Sequence, residues 1–270
     1  VHLLDFGAVT DRGPVRTVNE DSILAAPPVF VVADGVGGSE AGEVASAIVI
    51  EEFTRLAEQP VIDPDGVSRT LQTAHARVRE RNAGRPHGAS STAVGAVGVV
   101  SGDEPYWVVF NIGDSRIYRL AVATPESPER SLVQISVDHS HVQELVDAAV
   151  ITAEQAERHP DRNLVTRAIG AEESCDPDFW MIPMVAGDRL LICSDGLLVL
   201  SADELTRRML AAAPASAVAD DLLRAALAAD TTDNVSVIVV DVIAAAEPVG
   251  VPPSEELTAA HPHPGSGRPD

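Results

Sequence analysis

Between Ser90 and Ser136 the chain carries one strand-forming segment after another with no helical stretch between them. Ser90–Val100, Trp107–Ile112, Arg116–Leu120 and Ser131–Ser136 are short, rich in β-branched residues and bounded by turn formers. Parallel neighbours need a long crossover, usually a helix, so these segments are expected to pair as antiparallel meanders. Val29–Ala33, Arg189–Cys193 and Val235–Val242 read as further strands. Helical periodicity lies outside this middle. Ala41, Ala45, Ile48, Val49, Phe53 and Leu56 share one stripe of a helix that opens with Ser39 and Glu40. Further helices are expected at Gly66–Asn82, Ser140–Ala148, Thr152–Arg158, Ser201–Leu210 and Ala217–Ala228. The fold class is therefore α+β, with helices flanking a strand-rich middle and no internal repeat.

The apolar content of the 270 residues is that of a folded globule, except near the end. From Glu247 the chain reads EPVGVPPSEELTAAHPHPGSGRPD, which has too little apolar surface to offset its ordering entropy. Residues 1–245 are expected to form one domain and 246–270 a disordered Pro/Gly-rich tail. A net charge of −22 argues against a nucleic-acid partner, which would need clustered cations. Lysine is absent from the sequence, which excludes phosphate-binding loops with their lysine and Schiff-base chemistry. Cys175 and Cys193 form no framework, and neither a secretory leader nor a span-length apolar run is present. A cytoplasmic, soluble monomer with no membrane partner is expected.

The chemistry concentrates where strands end in acids beside glycine. VFVVADGVGG ends at Asp34 and Gly35, RLLICSDG at Asp195, and WVVFNIGDSR near Asp114. The junction ahead of VSVIVV carries Asp233 and Asn234, and Arg16, Glu20 and Asp21 cluster near the start. An acid at the mouth of an apolar strand is anchored at its base while its carboxylate reaches a cavity. Glycine beside it lets a backbone carbonyl approach an ion. Hard divalent cations take oxygen ligands of this kind. Each Asp-Gly taken alone reads better as a turn. Together, without cations, these carboxylates would repel one another, so the joint pattern favours a metal centre.

Rival readings of the same residues fail. DGVGGSEAG lacks the glycine that a dinucleotide-binding loop requires where Glu40 stands. A Gly-x-Ser-x-Gly elbow is absent, since Ser39 is followed by Glu40 and Ala41. His75, His87, His139, His141 and His159 show no zinc-like spacing.

With these motifs in hand, the sequence resembles the metal-dependent protein phosphatase family of type 2C in its bacterial form. The resemblance runs from Asp11 to Asp241, in the family's order: DRGPVRTVNED, ADGVGGSEAGEVAS, GASSTAV, NIGDSRIY, the stretch from Asp138 to Gly170, SDGL and DNVSVIVV. It implies a four-layer α-β-β-α sandwich, two antiparallel sheets covered by helices. It also implies that two Mn²⁺ or Mg²⁺ ions bind, with Asp34 bridging them and the Gly35 carbonyl on one. Asp195 and Asp233 would complete the other's shell, and Glu20 and Asp21 would hold metal-bound waters. Arg16 would clasp the substrate phosphate, and Asp114 would hold a weak third ion. The partners it implies are phosphorylated proteins, among them a Ser/Thr kinase or its substrates.

Paired cations lower the pKa of a bridging water, which then attacks phosphorus in line. Arg16 and the metals neutralise the charge building on the equatorial oxygens. Some family members place His after Asp-Gly; here Val36 stands there, so a metal-bound water is the expected proton donor. Ser39 replaces a His of many bacterial members, and Ala149 a flap glycine, which restricts the backbone where φ is positive. A non-catalytic phosphoprotein sensor would be expected to have lost ligands, and Asp34, Asp195 and Asp233 are all present. The acidic composition argues against a nuclease or other phosphodiesterase.

Overall fold

Val29–Ala33 and Val235–Ile243 are apolar on both faces, the pattern of strands covered from both sides. A computed structural model, which describes residues 3–243 apart from 38–41, 85–87, 124–128, 157 and 172, shows them covered in that way. Val29, Val31 and Ala33 face one hydrophobic cluster while Phe30 and Val32 face another. Val235, Val237 and Val239 likewise separate from Ile238, Val240 and Val242.

The chain begins with β1 (Leu3–Asp11), β2 (Ser22–Ala26), β3 (Val29–Ala33), β4 (Gly35–Val36), α1 (Gly42–Ala57) and α2 (Pro64–Asn82). The middle holds β5 (Ser90–Ser91), β6 (Ala93–Ser101), β7 (Glu104–Ile112), β8 (Arg116–Leu120), β9 (Leu132–Gln134), α3 (His141–Asp147) and α4 (Ala153–Ala156). It closes with β10 (Asp178–Pro183), β11 (Arg189–Cys193), a 3-10 turn at Asp195–Val199, α5 (Ala202–Met209), α6 (Ala215–Ala228) and β12 (Val235–Ile243). One antiparallel sheet has the order β1-β12-β11-β8-β9, the other β10-β7-β6-β3-β2. Helices α1 and α2 pack on the second sheet through Val49, Phe53, Leu71 and Phe110. Helices α5 and α6 pack on the first through Leu205, Leu222 and Val237. Phe30, Trp107, Ile192 and Ile238 fill the space between the sheets. The result is the expected α-β-β-α layering.

The expected meander is corrected in one place. Strands β6 and β7 pair, and so do β8 and β9, but β7 and β8 lie in different sheets. The chain crosses between sheets at Gly113–Ser115, where Gly113 has φ +116 and the side chain of Thr92 fills the space a Cβ would need, at 2.5 Å. The single strand expected at Ser90–Val100 also divides. Ser90 and Ser91 pair with β4, while β6 joins the main sheet. The helix opening assigned to Ser39 and Glu40, His87 and the tail at 246–270 lie outside the described residues; α1 is described from Gly42.

Helix α3 ends in a Schellman arrangement on Ala149. Ala149 N–H donates to the Val146 carbonyl at 2.9 Å and Val150 N–H to that of Leu145 at 2.9 Å. Ala149 has φ +55, so the restriction expected of alanine there is present. Left-handed backbone costs a residue with a Cβ about 1–2 kcal/mol. Glycine's greater freedom in the unfolded chain offsets roughly 0.4–1 kcal/mol of that. Ala149→Gly is therefore expected to raise stability by roughly 0.5–1 kcal/mol, seen as a higher urea midpoint at unchanged slope. A lower midpoint would contradict it.

Candidate metal centre

One end of the sandwich opens into a cleft of about 230 Å³ lined by Arg16, Glu20, Asp34, Gly35, Asp114, Asp195 and Asp233. Val36, Gly37, Asn163, Val165 and Asn234 complete its wall. Every residue singled out in the sequence as a site residue lies here except Asp21, which is buried beside Asp34 and Asp195.

Each acid is held by its backbone. Asp34 leaves β3 with its N–H donating to Thr92 Oγ1 at 3.0 Å, while Thr92 N–H donates to the Asp34 carbonyl at 2.8 Å. Gly35 N–H donates to the Glu20 carbonyl at 3.2 Å. A Cβ on Gly35 would stand 2.3 Å from the Gly42 carbonyl oxygen, so only glycine fits between these segments. Asn234 latches the first loop to β12: its Oδ1 accepts Glu20 N–H at 2.8 Å, and its Nδ2 donates to the carbonyls of Arg12 and Val18. Asp114 follows a glycine gripped by His139, whose N–H donates to the Gly113 carbonyl at 2.8 Å and whose Nδ1 accepts Gly113 N–H at 3.2 Å. Arg116 then pins this turn to Asp138 through a fork of charged hydrogen bonds at 2.6–3.0 Å. The Arg167–Gly170 stretch is tied in where Ile169 and Ser91 exchange backbone hydrogen bonds.

The electrostatics are strained. Burial first, then repulsion by Asp21, Asp195, Asp114 and Asp233, holds the Asp34 carboxyl well above the ordinary range. Burial pushes Asp21 and Asp114 each up to about 7, with Asp195 adding repulsion in both cases. Asp195 rises to about 6 through burial and the neighbouring charge of Asp233. Glu20 is raised by burial as well, against the pull of Arg16. Arg16 Nη2 donates to Asp233 Oδ2 at 2.5 Å and is the one cation lining the cleft among the described residues.

The donor set fits hard divalent cations. It is all oxygen, and the buried Asp21 Oδ1 and Asp195 Oδ1 have no hydrogen-bond partner. Among the described residues no group of three Asp, Glu, His or Cys side chains is already arranged as a ligand shell. The Asp34 and Asp195 carboxyls lie within hydrogen-bond reach of each other, while Asp233 is turned to Arg16 and to the Asn234 N–H.

Sequence reasoning missed Asn163 and Val165, which reach the cleft from the loop after α4, and the hydroxyls of Thr92, Ser194 and Ser236 beneath the acids. Nothing in their spacing marks them.

The chain is thus a two-sheet sandwich flanked by helices, with a carboxylate-lined cleft at one end. It belongs to the protein phosphatase 2C family, whose profile matches residues 16–232. It is 36% identical over 252 residues to the serine/threonine protein phosphatase PstP of Mycobacterium tuberculosis, a match covering 89% of this chain. The chain spans 45% of the length of that relative. The crystal structure of the PstP catalytic domain in complex with two manganese ions superposes with a TM-score of 0.79 at 32% identity, over 90% of this chain and 100% of that one. The phosphatase MsPP from Mycobacterium smegmatis, in complex with cacodylate, gives 0.78 at 34%, over the same shares.

Proposed function

We propose that the chain is a serine/threonine phosphoprotein phosphatase that hydrolyses phosphoserine and phosphothreonine by direct attack of a water activated by two bound Mn²⁺ or Mg²⁺ ions. The observation that carries this reading is the guanidinium of Arg16 at the rim of the acid-lined cleft. Asp34, the Gly35 carbonyl, Asp195 and Asp233 would hold the two ions, with Glu20 and Asp21 on their waters and Asp114 on a weaker third. Arg16, nearly half exposed and paired with Asp233, can swing its fork of donors onto a phosphoryl group's oxygens. That contact strengthens as charge grows on the equatorial oxygens. Among the described residues no histidine lines the cleft, and Val36 presents no acid to the leaving alkoxide. A water in the cleft supplies that proton.

Phosphorylated proteins of the cytoplasm, a Ser/Thr kinase or its targets among them, are the proposed substrates, and a monomer the proposed form. The proposed catalytic domain is residues 1–245. No helix among the described residues is long and apolar enough to cross a membrane.

Phosphate release from phosphothreonine and phosphoserine peptides is expected to require Mn²⁺ or Mg²⁺ and to stop with a chelator. Folded protein that releases none in either metal would overturn the reading.

A further inference from the structure

Asp21 is nine-tenths buried and bonded through only one of its oxygens. Ser194 Oγ donates to Asp21 Oδ2 at 2.8 Å and Ser236 Oγ donates to the same oxygen at 2.7 Å. Both serines are fully buried at the ends of neighbouring strands.

The direction of every proton in this cluster follows from its partners. Asn19 Oδ1 accepts Asp21 N–H at 3.2 Å, which leaves Asn19 Nδ2 to donate to Thr10 Oγ1 at 2.9 Å. Thr10 and Ser236 hydroxyls lie 2.8 Å apart. Since the Ser236 proton goes to Asp21, that bond runs from Thr10 to Ser236. Ser194 Oγ accepts Ser236 N–H at 2.9 Å, so its own proton is also free for Asp21. Two one-way relays therefore converge on Oδ2. Oδ1 is left without a hydrogen-bond partner, on a carboxyl that feels the charges of Asp34 and Asp195.

We propose that Ser194 and Ser236, with Thr10 behind them, are positioning residues that clamp Asp21 by Oδ2 and thereby commit Oδ1 to the metal centre. The assignment rests on the metal reading above. Hydroxyl donors on one oxygen stop the buried carboxylate from rotating and leave its other oxygen as a pure acceptor. Groups of this kind, one step behind a metal site, typically change metal affinity 10–100-fold.

The test is Mn²⁺ affinity by calorimetry on the full chain, independent of turnover. Ser236→Ala and Ser194→Ala are each expected to weaken binding about tenfold and the pair about a hundredfold. Ser236→Cys keeps the shape but is a weak donor, and is expected to match Ser236→Ala. A purely structural role is separated by a cycle with Asp21→Asn. If the serine acts through Asp21, Ser236→Ala adds almost nothing in that background; if it only packs, the two losses add. Additive losses, a Cys variant that binds like the parent, or unchanged affinity in the double serine variant would overturn the assignment. A parent chain that binds no Mn²⁺ would overturn the metal reading with it, whereas tight Mn²⁺ binding without phosphate release would sink only the proposed activity.

Discussion

Asp34→Asn is expected to lower metal-dependent phosphate release by about 10³-fold while leaving the metal-free fold intact and, above neutral pH, more stable. Asp34 is the acid on which the others converge. Its backbone is fixed on both sides of the peptide by Thr92, and repulsion from Asp21, Asp195, Asp114 and Asp233 meets at its carboxylate. Asparagine keeps the shape and one oxygen but removes the charge. Losing a preorganised charge at a phosphoryl-transfer centre costs about 3–4 kcal/mol of transition-state stabilisation, roughly two to three decades in rate. A bridging role adds the partial loss of an ion. In the chelated protein the same change removes the most crowded buried charge, so the melting temperature is expected to rise by an amount that grows with pH. Turnover within tenfold of the parent would remove Asp34 from the centre. A chelated variant that melts below the parent at pH 8 would contradict the electrostatic account.

The acids were legible because each closes an apolar run beside glycine, so one local pattern reports both a strand end and an exposed carboxylate. Burial on both faces made β3, β11 and β12 legible for the same reason. Four strands were not legible: β1, β2 and β10, which are edges of the two large sheets, and the two-residue β4. Strands β1 and β2 are half-buried and carry Asp5 and Gly7 or several small residues. Strand β10 is a short apolar run with alternate residues exposed that ends at Pro183, and β4 is too short to leave a pattern. The crossing at Gly113 was read as a hairpin because a glycine-aspartate turn has the same local sequence whether the next strand pairs or leaves. What sent it to the other sheet is the grip of His139 and Arg116, long-range contacts that no window of sequence contains. Ser194 and Ser236 look like ordinary strand residues until β11 and β12 bring them under Asp21.

Raising the pH of the chelated protein from 6.5 to 8 is expected to destabilise it, and Mn²⁺ to reverse the loss. Asp21 and Asp114 titrate at about 7 and Asp34 well above its ordinary value, against about 4 for an unfolded aspartate. Groups raised in this way bind more protons folded than unfolded. Their contribution is fully present below pH 4 and lost as pH rises through the folded values. Asp195, at about 6, has lost most of its share by the start of the window. Buried His75 and His139 have the opposite sign, since burial lowers both; their contribution still grows a little from 6.5 to 8, against the larger loss by the acids. Glu51 and Asp63, held low by Arg77 and Arg69, matter only in acid. The acids of the centre therefore dominate the window. Over it the buried acids cost on the order of 2 kcal/mol, a fall in melting temperature of about 4–8 °C for a domain of this size. A cation needs the same carboxylates ionised, so its stabilisation grows across the window while the apo protein weakens. At a hundredfold excess over its dissociation constant it contributes about 2.7 kcal/mol, or about 5–10 °C. Two melting series, with chelator and with Mn²⁺, decide the matter: the curves must diverge as pH rises. Parallel curves, or a chelated protein that gains stability from 6.5 to 8, would mean that these carboxylates are not the ones that receive the metal.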